Sequence, residues 1–207
     1  MPDERGQEIP TLYEEIADWF DASRARNLME MEYLSLAATL APKGGTVLDL
    51  GCGGGEPIAR YFIDRGFRIT GFDTSPTMIG FCQRRFPEES WRVGDMRSLK
   101  LDTCFDIIIA WDSFFHLDHE SQRGMFSIFR NQIEAGGVLV FTSGPRLGEV
   151  YGTMQGRDFY HASLDPEEYQ NLLADHGFIV VLNRIEDPAC GGRTVWVATW
   201  SRPIATP

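Results

Sequence analysis

Cysteine is scarce in this 207-residue sequence: Cys52, Cys82, Cys104 and Cys190 stand far apart with no CxxC pair, and the four histidines form no cluster at metal-ligand spacing. Neither a disulfide framework nor a zinc site is implied, and no metal is expected. Positive charge is also in short supply, with 19 Lys and Arg against 30 Asp and Glu for a formal net charge of −11. So acidic a chain repels phosphate backbones, so nucleic acid is not an expected partner. No apolar run approaches membrane-spanning length, and Met1-Pro2-Asp3-Glu4-Arg5 lacks the basic and then apolar regions of a signal peptide. A cytoplasmic protein without a membrane partner is expected. Internal repeats and low-complexity tracts are absent too, which leaves no solenoid or linker to consider.

The composition that remains, 43% hydrophobic and 24% charged, is that of a globular protein, and the length suits one well-cored domain over residues 1–207. Its organising stretch is Val47-Leu48-Asp49-Leu50-Gly51-Cys52-Gly53-Gly54-Gly55-Glu56-Pro57. Val47, Leu48 and Leu50 are too few for a helix and suit a buried strand, while Pro57 is preorganised for a first helical position. The glycines between them let the backbone take positive φ and let a ligand approach the main chain. A dinucleotide fingerprint needs a glycine at the sixth place of the turn, where this chain has Glu56. Here Gly51, Gly53 and Gly55 alternate, and Asp49 stands two places before the first.

Strand and helix patterns then alternate along the chain. Before the first strand, Leu12, Ile16, Trp19 and Phe20 share one helical face and Leu28, Met31, Leu34 and Ala38 another, predicting two N-terminal helices over about residues 12–40, with Trp19 in the core. After the glycine turn, Ile58 to Ile63 is helical up to Gly66, and Arg68 to Phe72 reads as the second strand. Asp73 follows directly, placed to accept hydrogen bonds from both hydroxyls of a ribose or, alternatively, to serve as a helix-start carboxylate. Thr74 and Ser75 come next, Ser75 being a natural N-cap before Pro76, and Met78, Ile79, Cys82 and Phe86 give the helix its apolar face.

Trp91-Arg92-Val93 is a short third strand running into Gly94-Asp95-Met96. Phe105-Asp106-Ile107-Ile108-Ile109-Ala110-Trp111, β-branched and apolar, is the fourth and the centre of a parallel sheet. Asp112 to Leu117 therefore lies at the carboxyl end of the sheet, where doubly wound folds bind ligands. A helix from Gln122 to Ile133 and a turn at Gly136-Gly137 lead into a fifth strand, Val138 to Phe141. Residues 143–163 are interrupted by glycines and read as a long irregular lid carrying Tyr151, Phe159, Tyr160 and His161. Asp165 caps a last helix, with Glu168 at the reciprocal capping position. Phe178 to Arg184 and Thr194 to Trp200 close the chain as a hairpin.

The acidic-x-Gly-x-Gly-x-Gly turn, the carboxylate after the second strand, Gly94-Asp95-Met96 and the closing hairpin together resemble the class I methyltransferases that use S-adenosylmethionine, of the small-molecule type. The resemblance runs from about Tyr13 to Ser201. It implies an α/β fold with a doubly wound, mostly parallel seven-stranded sheet, an antiparallel C-terminal hairpin strand and helices on both faces. Carried over, it assigns the methionine part of S-adenosylmethionine to Gly51 and Gly53 with the backbone near Ala110 and Trp111, its amino group to Asp49, the ribose to Asp73, the adenine amino group to Asp95 and the ring face to Met96. Cys52, Gly55, Thr74, Ser75 and Met78 complete the expected cofactor contacts. N-terminal helices and lid would enclose a small-molecule acceptor, with Tyr13, Phe115, Tyr160 and His161 as its contacts and Arg24 as a further pocket candidate.

A sulfonium methyl is already activated, so holding the acceptor in line and dry is the main requirement. Where the acceptor carries a proton, His116 is the best-placed base, its other reading being a histidine that anchors the loop; His161 and Asp112 follow. The Asn/Asp-Pro-Pro-aromatic segment of methyltransferases acting on base or glutamine amino nitrogens is replaced here by Ala110-Trp111-Asp112-Ser113, which disfavours those substrates. Two other functions stay open at this point. An NAD(P)-dependent oxidoreductase would bind NADH selectively, and a non-catalytic S-adenosylmethionine-binding protein would methylate nothing.

Overall fold

The computed structural model of the protein describes residues 6–201; Met1 to Arg5, read above for a leader, lie outside the described residues. Nine strands and seven α-helices follow one another as α1 (Ile9–Glu15), α2 (Ala17–Ser23), α3 (Met31–Leu40), β1 (Thr46–Leu50), α4 (Ile58–Ile63), β2 (Arg68–Asp73), α5 (Pro76–Arg85), β3 (Ser90–Val93), β4 (Phe105–Ala110), α6 (His119–Gln132), β5 (Ile133–Ser143), β6 (Gly148–Met154), β7 (Arg157–Ser163), α7 (Pro166–Asp175), β8 (Phe178–Asp187) and β9 (Arg193–Trp200). Seven of the strands form one sheet in the order β3-β2-β1-β4-β5-β9-β8. β1 to β5 pair in parallel and β9 runs antiparallel between β5 and β8, which is the expected α/β architecture.

Alternation along the central strands splits their side chains between the two faces. Ile107 and Ile109 of β4 pack with Val138 and Val140 of β5 under α3, α4 and α5. Ile108 and Ala110 pack with Leu139 and Phe141 under α6 and α7, where Phe126, Phe129 and Tyr169 supply most of the volume. The three isoleucines of β4 are fully buried, each stabilising the fold by roughly 1.5–3 kcal/mol. Strand order reverses at β1 and β4, whose carboxyl ends carry the glycine turn and residues 111–117, so a crevice opens there.

Several elements differ from the sequence reading. The segment before β1 holds three helices, because Ile16 leaves helical geometry (φ −106°, ψ 9°) and separates α1 from α2. That break rotates Trp19 out of the apolar stripe, and it is 40% exposed rather than core. Pro57 occupies the N-cap of α4 instead of its first turn. β5 begins at Ile133 and takes in the expected turn, with Gly136 at φ +84°. Glu168 pairs with Arg123 (2.6 Å) instead of closing a capping box, leaving Asp165 to cap α7 by accepting from the Glu167 N–H at 2.9 Å.

The largest difference is at residues 143–163, which are regular rather than irregular. β6 and β7 form a separate antiparallel hairpin joined by Gln155-Gly156, both at positive φ (+52° and +71°), as a two-residue primed turn requires. Phe159, Tyr160 and Ala162 of β7 pack on Ile9 and Ile16 of the N-terminal helices, forming a third small core. Cap helices and hairpin thus brace each other above the carboxyl end of the sheet.

Candidate active site

Gly51, Gly53 and Gly55 all adopt positive φ (+76°, +52° and +79°). The Gly51 and Cys52 N–H groups both donate to the Phe72 carbonyl, at 2.7 and 3.0 Å, which ties the turn to the end of β2. A Cβ on Gly51 would lie 2.3 Å from that of Ser113, whereas one on Gly53 would meet nothing within 4 Å. Gly53 therefore keeps space open toward the crevice. Asp73 closes the arrangement: its carboxylate accepts from the Gly53 N–H and from the Ser75 N–H, both at 2.9 Å. With about four lone-pair positions on an ionised carboxylate, capacity for a further hydroxyl donor remains.

Below the turn, Asp49 is 3% exposed. Burial pushes its carboxyl up to about 7, reinforced by the Asp73 charge and partly opposed by Arg24. Asp73 is also raised by burial, against which the N–H groups of Ser75, Gly53 and Thr74 favour its ionised form. A buried carboxyl, Asp49, close to the half-buried Asp73 suits a cationic occupant, whose charge would relieve both.

The crevice is bordered by Asp49, Gly51, Cys52, Gly53, Asp73, Thr74, Met78, Asp95, Met96 and Trp111, together with Tyr13 and His116. Its remaining charges are mostly acidic: Asp21, Glu56, Asp112 and Asp118 add to Asp49, Asp73 and Asp95, against the two arginines Arg24 and Arg97. A dinucleotide would bring its pyrophosphate into that field, whereas a sulfonium bearing an ammonium group is attracted by it. Asp95 is held by Arg97, whose backbone N–H and guanidinium donate at 2.8 and 2.6 Å. Against the upward push of burial, those bonds keep its carboxyl below the ordinary value.

Three of the residues expected at the cofactor lie just behind the crevice wall. Ser75 is fully buried and caps α5, accepting from the Met78 N–H at 3.1 Å. Gly55 faces Phe86 and Cys82, at 2.9 and 3.3 Å from the Cβ it would carry. Ala110 is the last residue of β4 and wholly inside the core.

A second cavity, of about 780 Å³, lies between the hairpin, the β5–β6 connection and the turn before β9. Phe115 and His161 border this cavity. Tyr160 does not; it is 2% exposed in the cap-and-hairpin core. The two cavities share Tyr13, Phe20, Arg24, Asp112 and His116.

At that junction His116 is 7% exposed and both ring nitrogens are engaged, Nδ1 with the Tyr160 carbonyl at 2.8 Å and Nε2 with Tyr13 Oη at 2.9 Å. A carbonyl only accepts, so Nδ1 carries the proton and Nε2 receives the Tyr13 hydroxyl. Burial holds the ring down to about 4, so it is neutral at physiological pH. Tyr13 is raised by its own burial and by the Asp112 and Asp73 charges, and is therefore a phenol. His161 packs its ring 4.7 Å from that of His116, and burial lowers it as well. Both oxygens of Asp112 are engaged in ion pairs. Arg193 grips it through Nε and Nη2 at 2.7–3.0 Å, and Arg24 adds a bond at 3.3 Å. Its φ of +50° is held from the other side by its N–H, which donates to Thr142 Oγ1 at 2.8 Å.

Other site residues leave no pattern in the sequence. Glu14 of α1 accepts from the Ser75 hydroxyl, the Thr77 N–H (3.1 Å) and the Thr77 hydroxyl (2.6 Å) at the first turn of α5, and these bonds lower its carboxyl. Asp21 of α2 pairs with Arg85 of α5 at 2.6 Å, and Arg85 also donates to the Gly54 carbonyl at 2.9 Å. Ser113 Oγ donates to the Leu50 carbonyl at 2.6 Å, joining the ends of β4 and β1. Among the described residues no group of three or more His, Cys, Asp or Glu could hold a metal ion, and no helix is long and apolar enough to cross a membrane.

Comparison with known proteins bears on the same region. Residues 47–137 match a family profile described as "Methyltransferase domain". The malonyl-[acyl-carrier protein] O-methyltransferase of Serratia marcescens is 25% identical over 195 residues, covering 88% of this chain and 73% of that protein. The dTDP-3-amino-3,4,6-trideoxy-alpha-D-glucopyranose N,N-dimethyltransferase of Streptomyces venezuelae is 26% identical over 107 residues, covering 51% of this chain and 45% of that protein. For most such relatives the chain spans about half of their length or less. Among solved structures, the 1,6-didemethyltoxoflavin-N1-methyltransferase of Burkholderia thailandensis, with its acceptor and S-adenosylhomocysteine bound, superposes with a TM-score of 0.76 at 17% identity, covering 98% of this chain and 91% of the other. An amino pentose methyltransferase from Micromonospora echinaspora with bound S-adenosylmethionine gives 0.69 at 19% identity, covering 89% and 95%.

Proposed function

We propose that this chain, whose residues 47–137 match a methyltransferase-domain profile and whose fold is that of solved methyltransferases, is a class I methyltransferase that transfers a methyl group from S-adenosylmethionine to a small-molecule acceptor. The observation that carries the reading is the meeting of two cavities at Tyr13, Phe20, Arg24, Asp112 and His116. One cavity is acidic and walled by the glycine turn; the other is enclosed by the hairpin. When bound, S-adenosylmethionine supplies a methyl group on an electrophilic sulfonium, open to in-line displacement by an acceptor on the far side of the junction.

The chain's residues hold and screen the reactants. Asp49 would meet the ammonium group, Asp73 the ribose and Asp95 with Met96 the adenine, while Gly53 keeps its position clear. The cap helices and the hairpin would screen the junction from water, with Phe20 on its wall and Phe159 bordering the acceptor side. An acceptor hydroxyl or amine bonded to Tyr13 Oη can give up its proton to that oxygen as the Tyr13 proton passes to His116 Nε2. The Tyr160 carbonyl fixes the tautomer that makes Nε2 the receiving atom. In this arrangement Tyr13 touches the acceptor, and His116 acts through it.

The test is transfer of label. The purified chain is incubated with methyl-labelled S-adenosylmethionine and a small-molecule extract, and label should enter that fraction for the wild type and far more slowly for His116→Gln. A protein that binds S-adenosylhomocysteine yet labels nothing would contradict the reading in favour of a non-catalytic binder.

A further inference from the structure

The two cavities differ in charge. The cofactor crevice is strongly acidic, in keeping with the net charge of −11. The acceptor cavity reverses that sign, being bordered by Arg24, Arg146 and Arg193 against only Asp112 and Glu149. Arg24 and Arg193 already share Asp112, and Arg24 also bonds Glu30 at 3.3 Å. Arg146 forms no ion pair among the described residues.

The position of Arg146 follows from the sheet register. β5 and β9 pair up to Ser143 opposite Thr194, so the connection that carries Arg146 leaves the sheet beside Arg193, which follows Gly191 and Gly192. Both strand ends open into the acceptor cavity, whose wall there includes Gly144 and Gly148 as well as Gly191 and Gly192. A Cβ on Gly148 or Gly192 would meet nothing within 4 Å, so a ligand can approach the backbone at those two positions, whereas Gly144 and Gly191 pack against Ser163 and Arg193. Arg146 is exposed at the cavity border and carries no ion pair among the described residues, so an anionic group entering the cavity can pair with it through a planar fork of donors.

We propose that the acceptor is an anionic small molecule whose phosphate or carboxylate group is held by Arg146, between the β5–β6 connection and the turn before β9, while its nucleophile reaches the Tyr13–His116 junction. The inference rests on the methyltransferase reading above. It narrows the acceptor to molecules with a negative charge at one end and a hydroxyl or amine at the other.

The test uses the full chain saturated with S-adenosylhomocysteine, titrated at low ionic strength with inorganic pyrophosphate in one arm and malonate in the other. Binding in one arm identifies the anion as phosphate or carboxylate. Arg146→Ala and Arg146→Glu should weaken that binding at least about tenfold, and Arg146→Lys less. Arg146 is exposed, so the variants should fold and keep their affinity for S-adenosylhomocysteine. Absence of binding in both arms, or equal binding by Arg146→Glu and the wild type, would overturn the anionic acceptor while leaving the cofactor reading intact. Failure of the wild type to bind S-adenosylhomocysteine would count against the underlying reading instead.

Discussion

Tyr13 Oη lies 2.9 Å from His116 Nε2 and joins the first cap helix to the loop after β4, at the boundary between two cavities. Because Nδ1 of the same ring is committed to the Tyr160 carbonyl, the pair has a defined direction for proton movement, from phenol to imidazole. Tyr13→Phe and His116→Gln should each lower the transfer rate by about 100-fold, with little change in affinity for S-adenosylhomocysteine. Burial holds His116 down to about 4. The rate at saturating substrates should therefore stay level as pH falls through 6.5, where an ordinary histidine would protonate, and decline only toward 4. A pH–rate profile checks this; a decline centred near 6.5 would remove His116 from the role.

Asp49 sets a different pH dependence. Its carboxyl is pushed up from 3.8 to about 7 in the folded chain, and it must be ionised to hold an ammonium group. Affinity for S-adenosylhomocysteine should fall as pH drops below 7, and Asp49→Asn should bind weakly at every pH. The stability effect has the opposite sign. Folding disfavours this charge, so the cost is absent below about 4 and complete above 7. Asp49→Asn should accordingly be more stable than wild type at pH 8, by up to about 4 kcal/mol, and no more stable at pH 3.5. Thermal melts at the two pH values measure it.

The cap helices are fastened to α5 by two carboxylates, Glu14 on the Ser75 and Thr77 groups and Asp21 on Arg85. Both fastenings lie over the cofactor crevice and outside the main core, so loosening them should ease escape of the ligand more than it unfolds the chain. Glu14→Ala combined with Asp21→Ala should raise the dissociation rate of S-adenosylhomocysteine by about tenfold with a small change in melting temperature. Stopped-flow displacement reads the rate. An unchanged rate would mean that the cap does not gate the crevice.

How far the sequence anticipates this site depends on how local each feature is. The β4 run from Phe105 to Ala110, the alternating glycines and the capping Ser75 are written in consecutive residues, and burial, positive φ and the Met78 bond follow from them. The β6–β7 hairpin is hidden because Val150 and Tyr151 are 62% and 59% exposed while neighbouring, so neither face shows a period of two. Its one local sign is Gln155-Gly156, a less common pair for a primed turn than Asn-Gly. Trp19 misleads because a helix break at Ile16 cannot be seen in an unbroken apolar stripe. Pairings such as Asp112 with Arg193 and Glu14 with Thr77 join distant segments, and single charged residues carry no record of their partners.

Calorimetric titration with S-adenosylhomocysteine, using NADH as the control, tests the account most directly when wild type is compared with Asp73→Ala and Gly53→Val. A Cβ at Gly53 meets no protein atom within 4 Å, so Gly53→Val should fold, at a backbone cost of about 1–2 kcal/mol for its positive φ, while filling the space kept for the cofactor. Binding of S-adenosylhomocysteine by the wild type, its loss in both folded variants and silence from NADH is the predicted result. Undiminished binding in both variants, or selective binding of NADH by the wild type, would contradict the assignment of the crevice.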